Sequence, residues 1–262
     1  MEDIENRIKE KLLDLEKNQN IRIIYACESG SRAWGFASAD SDYDVRFIYI
    51  RPLEEYLKLE GQKDFIDAEL NEVYDINGWD LSKFLKLLAK SNPVIFEWAD
   101  SPIVYKTSDE WNFVKEYLGK YFQFQKMMHH YLSMAKNNVR NYFSGSQVKL
   151  KKYLYVLRPA LACEWIMTKN CPPPTDFFRL VKAVLPSSLT ESVQKLLDVK
   201  MKASEKEYDP HIPEIDSYIE EKIAAAEVFL SHSFEKQKTD WGSLNKIFLK
   251  LIKGDLEDFL WK

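Results

Sequence analysis

Ile4, Ile8, Leu12 and Leu15 recur at helical spacing among charged residues, which predicts an amphipathic helix over residues 2–17. The period then changes. "IRIIYAC" (21–27) is short, apolar and rich in β-branched residues, as a buried strand is. "ESGSRAWG" interrupts it at Gly30, and "YDVRFIYI" (43–50) predicts a second strand, closed by Pro52. "AELNEVYDING" (68–78) predicts a third extended segment running to Gly78. "WDLSKFLKLLAKSNP" returns to a period of 3.6, a helix with Asp80 at its first turn and Asn92-Pro93 at its end. "VIFEWADSPIVY" predicts a short apolar segment, a turn at 100–102 and a small strand.

Beyond this point the helical period dominates, predicting helices over 108–119, 120–143, 147–170, 176–184, 188–206, 214–235 and 242–260. Pro159 inside the third of these should kink or split it, and the three prolines of "NCPPPTD" make a rigid connector. The pattern therefore predicts an α+β protein, with a mixed sheet and flanking helices over 1–107 and an all-α domain over 108–262.

Charge adds something the periodicity does not carry. The net charge is −4, yet residues 117–163 contain eight Lys and Arg and no Asp or Glu. Aromatic residues interleave with these cations, so the segment suits a surface that meets phosphate; the alternative is a solvated helix face. Within it Lys151, Tyr155 and Arg158 fall on one helical face, flanked by Lys149 and Lys152. Three cysteines without paired spacing suggest neither a disulfide framework nor a CxxC-type zinc site, and the four histidines lack metal-ligand spacing. No apolar run approaches membrane-spanning or signal-peptide length, so the expected location is the cytoplasm, with no membrane partner.

The candidate chemistry lies where the second strand begins. In an extended reading Asp42, Asp44 and Arg46 share one face while Tyr43, Val45 and Phe47 share the other. Two carboxylates so placed repel each other, and a divalent cation would resolve the repulsion, oxygen-only ligands favouring magnesium, calcium or manganese over zinc. Twelve residues upstream of Asp42, Gly30 and Ser31 follow a strand directly and offer backbone N–H groups and a hydroxyl to a phosphate.

The run Gly30-Ser31, ten residues, then Asp42-Tyr43-Asp44-Val45 resembles the signature of the polymerase β superfamily of nucleotidyltransferases. With "GWDLSKFLKLLAKSNP", "EWADSPIVY" and "YLYVLRPALACEWI", residues 21–185 are similar to the YcgL/RlaP family of predicted nucleotidyltransferases, RlaP being the RNA-ligase-associated polymerases. The resemblance implies a polymerase β-like catalytic domain over 1–107 and a helical substrate-binding domain over 108–262. It implies that Gly30 and Ser31 hold a nucleoside triphosphate such as ATP, and that Asp42 and Asp44 hold two Mg²⁺ ions, for which Mn²⁺ could stand in.

The resemblance also implies a third acid on a neighbouring strand, and Glu69, Glu72, Asp75 and Asp80 are candidates. Asp75 is preferred for its strand context, and Asp80 has a competing role as helix cap. Lys152 is the lysine assigned to the nucleotide phosphates.

The implied reaction is transfer of a nucleoside monophosphate from an NTP to an acceptor, an RNA 3′ end being favoured, as in RNA repair or end modification. The alternatives are a protein-adenylylating enzyme of antitoxin type and an inactive nucleotide- or RNA-binding module. Neither the oligomeric state nor the preferred NTP is legible.

Overall fold

The computed structural model describes residues 2–202, 208–232 and 238–254. These form two compact units. The first opens with α1 (Glu2–Gln19), β1 (Arg22–Glu28), α2 (Gly30–Trp34), β2 (Tyr43–Ile50) and α3 (Leu53–Tyr56). It continues with β3 (Phe65–Leu70), β4 (Tyr74–Asp80), α4 (Leu81–Ala89), α5 (Pro93–Ala99), β5 (Val104–Lys106) and α6 (Asp109–Lys115). The helical unit holds α7 (Phe124–Tyr142), β6 (Gln147–Lys149), α8 (Leu150–Lys169), α9 (Phe177–Val184), α10 (Thr190–Met201), β7 (Tyr208–Pro210) and α11 (Pro213–Ser231). α12 (Trp241–Lys253) belongs to the first unit.

The five-stranded sheet has the order β3-β4-β2-β1-β5. β2 and β4 run parallel, and the other pairs are antiparallel. The alternation holds at the start of β2, where Val45 and Phe47 are buried with Ile8 and Leu12 of α1 in one core, but from Phe47 to Ile50 the strand is buried on both faces. Gly78 on β4 is required there, because a Cβ would lie 2.1 Å from the Phe47 ring.

The third extended segment is a hairpin. Asn71 accepts from the backbone N–H groups of Val73 and Tyr74, turning the chain without glycine or proline. Asn92-Pro93 does end α4, but it also starts α5: Asn92 accepts from Val94 N–H, and Pro93 occupies the first helical position. The predicted apolar segment is therefore helical.

In the helical unit the predicted 147–170 helix begins instead with β6, paired with β7. Pro159 does not split α8. The Tyr155 carbonyl, which proline cannot satisfy, accepts from the Asn138 amide on α7 at 2.8 Å. The ends predicted at 206, 235 and 260 lie outside the described residues.

A single cut at 107 does not describe the two units. Residues 108–121 and α12 pack with the sheet, and residues 34–41 belong to the helical unit. The causes are long-range contacts: Trp111 of α6 stacks on Tyr25 of β1 with ring centroids 4.0 Å apart, and Phe36 is fully buried in the helical core against Phe177.

Candidate active site

β1 ends at Glu28, and the chain turns sharply through Ser29 and Gly30 toward α2. Ser29 N–H donates to the Asp44 carbonyl at 2.8 Å, which draws the turn against β2. Gly30 has φ +58°, and a Cβ there would stand 2.0 Å from Asp44 Oδ2. Only glycine meets both demands. Ser31 follows in the first turn of α2, largely buried.

Asp44 and Asp75 are register partners on the parallel strands β2 and β4. Arg46, two residues along β2, lies between their carboxylates. Its Nη2 donates to Asp44 Oδ1 at 3.0 Å and Asp75 Oδ2 at 2.6 Å, and its Nη1 donates to the carbonyls of Asp75 (2.7 Å) and Val45 (3.1 Å). Burial raises the Asp44 pKa above the usual range; Arg46 opposes this, and the charges of Asp42 and Asp75 add to it. Asp42 is exposed just before β2, and its carbonyl accepts from Arg32 Nε, whose guanidinium lies 3.8 Å from the Tyr43 ring centroid.

Behind Asp44 sits Glu28, fully buried. One of its carboxylate oxygens accepts from Asp44 N–H at 2.7 Å, and the other accepts from the Tyr105 hydroxyl. Burial pushes its pKa up to about 7, against the pull of these two hydrogen bonds.

The other candidates for a third acid are engaged elsewhere. Asp80 is buried as the N-cap of α4, accepting from Ser82 N–H and the Tyr56 hydroxyl. It pairs in register with Tyr49, five positions from Asp44, which is about 16 Å along the strands. Glu69 pairs with Lys11 at 2.7 Å, and Glu72 is an exposed turn residue. Asp75 alone of the four stands beside Asp44.

Lys152 lies in the helical unit, in the first turn of α8. Its ammonium sits over the rings of Tyr142 (4.6 Å) and Tyr155 (5.0 Å), and burial, then Lys151 and Lys149, lower its pKa. Arg158, on the same helix, is buried with its guanidinium 4.5 Å from the Trp34 ring, and Trp34 meets Tyr155 edge-on. Lys200 of α10 donates to Ser38 Oγ at 3.2 Å. Sequence reasoning missed Trp34, whose placement follows from packing of residues 34–41 in the helical unit. It also missed Glu28, whose one signal is its position between an apolar strand and the Gly-Ser turn.

Among the described residues no three His, Cys, Asp or Glu side chains stand close enough together to hold a metal ion as they are. The donors nonetheless fit a hard divalent cation. Asp44 and Asp75 present carboxylate oxygens side by side, and a cation, the Arg46 guanidinium, already occupies the space between them.

The mixed sheet, with a Gly-Ser turn after β1 and register-paired carboxylates on β2 and β4, agrees with the polymerase β-like nucleotidyltransferase class to which the family comparison assigns the chain. Residues 4–250 match the family described as "RlaP: RNA repair pathway DNA polymerase beta family", and the chain belongs to that family. It is 37% identical over 260 residues to the uncharacterised protein YcgL of Bacillus subtilis (strain 168), covering 97% of this chain and 99% of that protein. Among solved structures, a nucleotidyltransferase-like protein from Exiguobacterium sibiricum 255-15 aligns over 94% of this chain and 80% of its own, at 12% identity and a TM-score of 0.30, too slight a likeness to carry weight. Among the described residues no helix is long and apolar enough to cross a membrane.

Proposed function

We propose that this protein is a metal-dependent nucleotidyltransferase that moves a nucleoside monophosphate from an NTP to an RNA 3′ hydroxyl. The observation that carries the reading is the in-register pairing of Asp44 with Asp75, directly beside the Gly30 turn. Asp42, Asp44 and Asp75 are the residues that would hold two Mg²⁺ ions, with Mn²⁺ as a substitute. Bound there, the ions would supply neutralisation of phosphate charge and a lowered pKa for the attacking hydroxyl.

The chain's own groups do the positioning. Gly30 leaves the turn open for close approach of a phosphate, and Ser31 offers its hydroxyl to a terminal phosphate oxygen. Glu28 fixes the Asp44 backbone through the N–H it accepts. On the helical unit taken by itself, Lys152 suits a polyanion, because its ammonium sits against the Tyr142 and Tyr155 rings in an acid-free stretch. The family's description places its members in RNA repair, which favours RNA as the acceptor.

The test is incubation with each of the four NTPs labelled at the α-phosphate, Mg²⁺, and either RNA or protein acceptors. Label on the RNA 3′ end is the expected result. Label on protein would replace the acceptor class, and no transfer to either, with NTP still bound, would make this a binding module.

A further inference from the structure

Asp44 and Asp75 find a charge partner within the chain itself. Their side chains are 22% and 30% exposed, and the Arg46 side chain between them is 17% exposed, so all three are substantially withdrawn from water. At such a site a charge-assisted hydrogen bond is stronger than on an open surface, and an unpaired carboxylate is costly.

The guanidinium is not a loose counter-ion. Its Nη1 is fixed by the backbone carbonyls of Asp75 and Val45, while its Nη2 alone is shared by the two carboxylates. All four acceptors belong to β2 or β4, so the parallel register that brings the acids together also delivers the fork between them. Arginine suits this role better than lysine, since one planar group serves carbonyls with one nitrogen and carboxylates with the other.

We propose that Arg46 is a built-in counter-cation that holds Asp44 and Asp75 in place without metal and competes with a divalent ion for them. This rests on reading those two residues as metal ligands. An ion that takes their oxygens must displace the two Nη2 bonds and then stand beside a positive guanidinium. A bare divalent ion is therefore disfavoured. An ion arriving with a triphosphate brings negative charge that offsets the guanidinium, so the site prefers the metal–nucleotide complex to the free metal.

The experiment is a Mn²⁺ titration without nucleotide, free Mn²⁺ being read by electron paramagnetic resonance, on wild type, Arg46→Met, Arg46→Lys and Asp44→Asn after EDTA treatment and buffer exchange. Arg46→Met should bind Mn²⁺ about tenfold more tightly than wild type, the value of one charge-assisted bond no longer in competition. Its melting temperature in EDTA should fall and rise again with Mn²⁺ by more than wild type's does. Arg46→Lys should bind severalfold more tightly, because a single ammonium cannot span both carboxylates while held by the carbonyls, and this variant decides the matter if Arg46→Met does not fold.

Equal or weaker Mn²⁺ binding by the folded Arg46 variants would overturn the competition. An Mn²⁺ site that Asp44→Asn leaves unchanged, or no binding to any of the four proteins, would overturn the ligand assignment itself, a separate failure.

Discussion

Glu28 offers a test of the site's electrostatics that needs no substrate. Its carboxyl is fully buried with a pKa raised from 4.5 to about 7, so the folded protein binds this proton more tightly than the unfolded chain does. The stability linked to it is fully present below pH 4.5, is lost as pH rises toward 7, and changes no further above that. A rise from 4.5 to about 7, at about 1.4 kcal/mol per pH unit, corresponds to about 3.5 kcal/mol. Glu28→Gln keeps an acceptor for Asp44 N–H and cannot ionise.

Denaturant unfolding of both proteins in EDTA from pH 4.5 to 8.5 should give curves that diverge. The variant, close to wild type at the acid end, should gain on it by up to about 3.5 kcal/mol, or roughly 7–14 °C in melting temperature for a protein of this size. Parallel curves would show that Glu28 ionises normally in the fold and would refute the burial argument.

Other changes probe the remaining parts. Asp42→Asn and Asp44→Asn should each leave the fold intact while removing nucleotidyl transfer; retention of more than a few per cent of activity in both would exclude a two-metal site. Gly30→Ala should cost about 1–2 kcal/mol of stability for its left-handed backbone and should abolish transfer by pushing the Asp44 carboxylate aside, so an active variant would sink the close-approach argument. Ser31→Ala should weaken NTP binding by roughly 0.5–1.5 kcal/mol, or up to about 3 if a phosphate charge is felt, measurable by calorimetry; unchanged affinity would leave Ser31 a turn residue only. Replacing Lys149, Lys151 and Lys152 together by Ala should reduce the log–log salt slope of RNA binding by about two units, and an unchanged slope would remove these lysines from the RNA surface.

Much of the sheet and its acids was legible because alternation is a local signal. The period-two pattern at the start of β2 placed Val45 and Phe47 in the core and put Asp44 and Arg46 on a common face. It could not show that β4 lies parallel and in register, and that pairing is what sets Arg46 between Asp44 and Asp75. The β3–β4 hairpin escaped because its turn is made by the Asn71 side chain rather than by glycine or proline.

α5 escaped because it is short and mostly buried, so its apolar run carries no helical period. The extent of the two units was illegible for a third reason. It depends on single aromatic anchors, Trp111 on Tyr25 and Phe36 on Phe177, that join residues far apart in sequence.

The most direct measurement of the central claim, that Asp42, Asp44 and Asp75 hold the metal ions on which transfer depends, is anomalous diffraction from crystals grown with Mn²⁺ and a non-hydrolysable NTP. The account predicts Mn²⁺ at about 2.1 Å from carboxylate oxygens of Asp42 and Asp44, with Asp75 on one ion, the triphosphate against Gly30 and Ser31, and Arg46 Nη2 no longer bonded to Asp44. Nucleotide bound with Mn²⁺ away from these carboxylates, or Arg46 still bridging Asp44 and Asp75, would contradict it.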